Sequence, residues 1–159
     1  MSLGAMLVLP INFGSLNAAG TNTVFQVVTM PMQILKWGYA VTTAGTTTAL
    51  VMRGDILEAD GTAASPTGAA ALGTMTYPST TLAANVVAIH DVEANEGRVV
   101  AYPGERLSLT VTTATTSGVV NPFALVLPLG WANANQRASG APGSTTLATA
   151  LAAVTELDS

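Results

Sequence analysis

An all-β fold, a β-sandwich or jelly roll of about eight strands with an extended N-terminal arm and a short C-terminal helix, is what this sequence predicts. Three observations predict it. Short segments rich in β-branched and aromatic residues recur between turns rich in Gly, Pro and Thr. The segment "RLSLTVTT", Arg106 to Thr113, alternates Leu107, Leu109 and Val111 with Ser108, Thr110 and Thr112, the period of a strand with one buried face. Only near the C-terminus does a long helical stripe appear.

The chain opens on "MSLGAMLVLPINFG", in which Leu7, Leu9, Ile11 and Phe13 alternate with Val8, Pro10 and Asn12. That spacing suits a strand-like arm added to the sheet edge of a neighbouring subunit, so these four are candidate interaction residues. The arm is assigned to residues 1–20 and the sandwich to 21–131. Within the sandwich the strand candidates are Val24 to Met30, Gln33 to Thr43, Thr47 to Met52, Ile56 to Ala59, Asn85 to Asp91, Gly97 to Tyr102, Arg106 to Thr113, and Pro122 to Leu127. In the second, strict alternation puts Leu35, Trp37, Tyr39 and Val41 on one face and Ile34, Lys36, Gly38 and Ala40 on the other.

"YPGE", Tyr102 to Glu105, has Pro second and Gly third, which suits a type II turn, and predicts a hairpin between its flanking strands. "ADGT", Ala59 to Thr62, is another turn signal. "RGD", Arg53 to Asp55, falls between two strand candidates and reads as a third turn; a bare tripeptide is almost no evidence for adhesion. Residues 60–84 show no strand period and form a long Gly-, Ala-, Thr- and Pro-rich loop, with a short helix near Gly68 to Leu72. The tail, 132–159, contains "GSTTLATALAAVTEL", a helix capped by Ser144 or Thr145. Leu147, Leu151, Val154 and Leu157 line one face of it and are the second set of candidate interaction residues.

Charge is the strongest compositional signal. The 159 residues suit one domain, and 49% hydrophobic residues is ordinary. Only 9% are charged, against roughly 25% in a typical soluble domain. From Met1 to Leu35 and again from Leu107 to Gln136 there is no charge at all. Such a surface disperses poorly in water, so either lipid or protein partners should cover it. No apolar run approaches the roughly 18 to 20 residues of a spanning helix, and aromatics at 5% are too few for the girdles of a membrane barrel. No membrane association is therefore expected, and both chain ends should be pinned against another protein. The five basic residues are scattered and the net charge is −4, which argues against nucleic acid. The N-terminus has no basic region before its apolar patch and does not read as a signal peptide, which fits a cytoplasmic origin.

Catalytic and metal-binding patterns are thin. Cysteine is absent, which removes thiolate chemistry and disulfides. The single histidine, His90, lies in "AIHDVEANEG", but adjacent His90 and Asp91 point to opposite faces of a strand and do not converge on a metal. A polar strand end is the favoured reading. Asp55, Glu58 and Asp60 lack the EF-hand spacing and read as a solvated turn. Hydrolase elbows, Walker loops and dinucleotide fingerprints are missing. Trp37, Trp131 and a loop bearing Tyr77 are the candidates for stacking on a sugar, with core packing the favoured role for Trp37. No enzyme, cofactor or metal is expected.

Uncharged Thr- and Ala-rich surfaces are buried without the desolvation cost of charges, as a virion subunit requires. The cysteine-free Ala/Gly/Thr composition, the uncharged "MSLGAMLVLPINFG" arm and the closing pair "RVVAYPGERLSLTVTTATT…NPFALVLPLGW" resemble the β-sandwich decoration, or cement, proteins of tailed-bacteriophage heads. The resemblance covers most of the chain. It implies a protein that binds the major capsid protein lattice from outside, often as a trimer, and reinforces the shell. It implies no catalytic residue and a place on the outer virion surface after assembly in the host cytoplasm. The alternatives are another phage structural subunit (tail, fibre or minor capsid protein) and a carbohydrate-binding β-sandwich module.

Overall fold

A computed structural model describes residues 8–46, 48–63 and 71–129. Among them are ten strands: β1 (Leu9–Asn12), β2 (Leu16–Asn17), β3 (Thr23–Val27), β4 (Met32–Thr43), β5 (Val51–Leu57), β6 (Thr74–Thr76), β7 (Val87–Asp91), β8 (Val99–Ala101), β9 (Arg106–Thr113) and β10 (Val119–Pro128). One helical turn, α1 (Val92–Asn95), links β7 to β8. All pairings are antiparallel and form two sheets. The first runs β1-β10-β4-β7, with β2 also on β10 and β8 also on β4; the second runs β3-β9-β5-β6. The apolar inner faces of the two sheets meet as a β-sandwich, the predicted class.

The period-two reading of β9 holds: Leu107, Leu109 and Val111 are fully buried. It fails in β4. The register against β10 shifts between Leu125 and Val126, so that Leu125 pairs with Lys36 but Val126 with Ile34. Leu35 is the extra residue of a β-bulge, and the bulge restores Ile34 to the face of Trp37 and Tyr39. Ile34 is therefore fully buried where strict alternation places it outside, and Leu35 is only half-buried.

Two turn signals resolve differently from expectation. "YPGE" does turn: Gly104 has φ +93, as a type II third position requires, and the Glu105 N–H donates to the Tyr102 carbonyl at 3.0 Å. Yet its strands do not form a hairpin. β8 pairs with β4 in one sheet, while β9 lies between β3 and β5 in the other. The turn is a corner between sheets, because local turn chemistry sets the reversal and not the partner.

"RGD" is no turn. β5 runs unbroken through it, merging two strand candidates into one. Arg53 and Asp55 share the outer face and pair at 3.0 Å, and Asp55 is buried, so the tripeptide is not presented for adhesion. Gly54 is needed inside the strand because a Cβ there would sit 2.6 Å from the Leu72 Cβ. We expect Gly54→Ala to lower unfolding stability by about 1–3 kcal/mol, read from urea denaturation.

Residues 60–84 carry more order than their composition suggests. Asp60 accepts from the Thr62 N–H and hydroxyl in the "ADGT" turn, β6 adds an edge strand to β5, and Leu72 and Leu82 are fully buried. Three residues are too few to show a period, which hid β6 in the sequence. Of the helix expected near Gly68 to Leu72, residues 68–70 lie outside the described residues, and Ala71 and Leu72 form a turn.

Candidate interaction surface

The outer face of the six-stranded sheet follows from its register, since directly paired residues project to the same side. One row runs Val87, Ala40, Asn121. The next runs Ile89, Gly38, Phe123, Asn12. A third runs Asp91, Lys36, Leu125, Pro10. Val87 and Ile89 are 55% and 54% exposed, and Phe123 and Leu125 are half-buried. Val87, Ile89, Phe123 and Leu125 thus form a largely apolar surface over β7 and β10, flanked by exposed Asn121 and Asn12 and by one ion pair among the described residues. Gly38 makes room for it: a Cβ there would collide with the Ala88 carbonyl and press on the Phe123 ring, which lies over the glycine.

The ion pair is built by strand pairing and by the start of α1. Lys36 Nζ donates to Asp91 Oδ2 at 2.8 Å, and Asp91 Oδ1 accepts from the Ala94 N–H at 3.0 Å, capping the helical turn. The Lys36 hydrogen bond, then that from Ala94, holds the Asp91 carboxyl below its ordinary pKa. A depressed folded-state pKa stabilises above the unfolded value, near 4, and the stabilisation fades as pH falls through the lower folded value. Asp91→Asn should therefore lower the urea midpoint at neutral pH, with the gap from wild type closing in acid. An equal gap at both ends of the pH range would rule out the carboxylate charge as its source.

The other sequence candidates separate. His90 faces inward, as alternation with Asp91 requires, and its ring lies 5.7 Å from that of Trp37. Glu96 Oε1 comes within 3.5 Å of His90 Nε2, and among the described residues no group of three His, Asp or Glu gathers to hold a metal. Asp55 is paired with Arg53 while Asp60 is tied to Thr62, so their carboxylates serve different local structures. Trp37 is fully buried and donates its indole N–H to the Leu72 carbonyl at 2.6 Å, so it stacks on no sugar. Tyr77 is buried as well. Tyr39 is fully buried, its hydroxyl has no hydrogen-bond partner among the described residues, and desolvation followed by the neighbouring Tyr77 raises its pKa above the ordinary range. Trp131 lies outside the described residues.

The two interaction sets also fall differently. Leu9, Ile11 and Phe13 are not free arm residues: β1 adds to β10 of its own chain, Phe13 is buried, and Leu9 and Ile11 pack partly buried against the core. The edge-adding geometry expected of the arm is met within the subunit, because β10 offers its own free edge nearby. β1 and β2, placed by sequence in an arm over 1–20, are strands of the sandwich. Leu7, Leu147, Leu151, Val154 and Leu157 lie outside the described residues.

Sequence reasoning missed Val87, Ile89, Phe123 and Leu125 as surface residues. The signal was present in "NPFALVLP", which is apolar at both odd and even positions, the mark of a strand covered on two faces. The face of the second sheet differs. Ser108 is buried there, Thr110 is half-buried, Thr112 is exposed, and the Arg106 guanidinium covers the Phe25 ring at 4.9 Å from its centroid.

No protein-family model matches the chain, and no curated protein matches it. Among solved structures, a chain from "Structure of infectious bursal disease virus Gx strain" is similar to it at 14% identity with a TM-score of 0.28. The match covers 78% of this chain and 33% of that one, so the chain spans about a third of the length of the solved chain.

Proposed function

We propose that this chain is a virion structural protein that decorates and stabilises an assembled phage capsid, binding the major capsid protein lattice and neighbouring copies of itself. One observation carries the reading: the outer face of the six-stranded sheet exposes Val87 and Ile89 beside half-buried Phe123 and Leu125 and, among the described residues, holds a single ion pair. Large exposed apolar surface on a soluble β-sandwich marks a protein interface. A face with one ion pair is covered by a partner at little desolvation cost. The charge-poor composition extends the same property to the rest of the molecule. In this reading the protein forms a trimer on the outer capsid surface and works without a catalytic residue, cofactor or nucleic acid.

Shells purified without this protein supply the test. Added protein should sediment with them, appear as surface protrusions in electron micrographs, and raise the temperature at which the shells rupture. Protein that stays monomeric in the supernatant at saturating concentration would sink the proposal.

A further inference from the structure

The sandwich is open along one side. There β1 ends the first sheet and β3 ends the second, and among the described residues each has one edge without a neighbouring strand. Between them lies a groove of about 340 Å³ whose walls include Leu9, Ile11, Met30, Met32, Val126 and Pro128. Among the described residues no charged side chain lines it. Val27 and Met30 at its rim are 56% and 43% exposed. One polar link spans the two sheets beside it, from Gln26 Nε2 to the Asn12 carbonyl at 3.4 Å. Free strand edges beside exposed apolar groups are an aggregation hazard that stable proteins cover.

We infer that this groove is the docking site of the chain's own C-terminal segment, residues 144–157, whose apolar stripe seats on it in the same subunit. Three features favour that occupant. The first is where the described chain ends. Pro128 is itself part of the groove wall, and the Leu129 N–H donates to the Pro31 carbonyl at 2.8 Å, which fixes the exit of the tail beside it. The second is length. "WANANQRASGAPGS", the stretch leading to Ser144, is long enough to span up to about 50 Å, so the following segment is within reach of the groove. A covalent connection of that reach gives the segment a high effective concentration at its own groove, of order millimolar, which favours the same subunit over another. The third is chemistry. Leu147, Leu151 and Val154 recur at helical spacing, and the segment 144–157 carries only Glu156 as a charge. The groove admits side chains and not a whole helix, so the stripe would enter while the backbone lies across β1 and β3. Seating it would complete the core and cover both edges. The inference does not depend on the virion reading.

The absence of cysteine allows a clean test in the full-length protein. Met30→Cys combined with Leu151→Cys should oxidise rapidly to an intrachain disulfide, seen as a monomer of increased mobility on a non-reducing gel. Val87→Cys with Leu151→Cys, which places the first thiol on the opposite edge strand of the sheet, should not. A disulfide that joins two chains would overturn the same-subunit assignment in favour of a second copy. Equal intrachain oxidation of both pairs, or of neither, would overturn the docking itself. A cysteine-free companion, Leu147→Asp with Leu151→Asp, should speed hydrogen exchange in 8–12 and 24–30 by about tenfold, and unchanged exchange there would also overturn it.

Discussion

Trp37→Ala should destabilise the protein by about 3–5 kcal/mol, the largest loss expected from any single side chain here. Trp37 is fully buried, and its indole N–H reaches from β4 in one sheet to the Leu72 carbonyl beside β6 of the other. Truncation opens a cavity between the sheets and leaves a buried carbonyl without its donor, two costs that add. Set against a typical total of about 5–15 kcal/mol, such a loss leaves a marginal fold. Urea denaturation followed by circular dichroism reads it. Trp37→Phe refills most of the space and forfeits the hydrogen bond, for about 1–2 kcal/mol. A loss from Trp37→Ala no larger than that of Trp37→Phe would mean that packing between the sheets contributes little at this point.

Val87→Lys combined with Ile89→Glu should weaken binding to shells by about 30-fold or more, the scale of one interface hot spot. Both side chains are more than half exposed, so the melting temperature should hardly move. Burying two new charges at an apolar contact is what costs affinity. Thr112→Glu, on the outer face of the other sheet, is the control and should leave binding unchanged. If the control weakens binding as much as the pair, the six-stranded sheet is not the contact face. If neither does, the apolar face has another purpose.

How far the fold could be read from sequence differs from strand to strand. β9 matches its expected bounds because eight residues of clean alternation outweigh any local competitor. β4 was legible as a strand, but the bulge at Leu35 was not, since it depends on how β10 lies alongside. Arg-Gly-Asp carries turn chemistry, yet β5 passes through it because Arg53, Gly54 and Asp55 pair with Thr110, Leu109 and Ser108 of β9, and the glycine leaves room for Leu72. The candidate surface was half legible. Charge depletion announced that something must cover the molecule, while the face involved required the register that sets Val87, Ile89 and Phe123 beside Gly38 and Ala40.

By itself the sequence determined the class, an all-β sandwich, and a surface poor in charge, because both follow from periodicity and composition summed along the chain. Only the tertiary structure decided that the turn at Gly104 joins different sheets, that Leu9, Ile11 and Phe13 complete their own subunit, and where the apolar sheet face and the edge groove lie. Those outcomes depend on which distant strands pair. Pairing is chosen by the total area the two sheets bury together, a quantity no local stretch of residues contains.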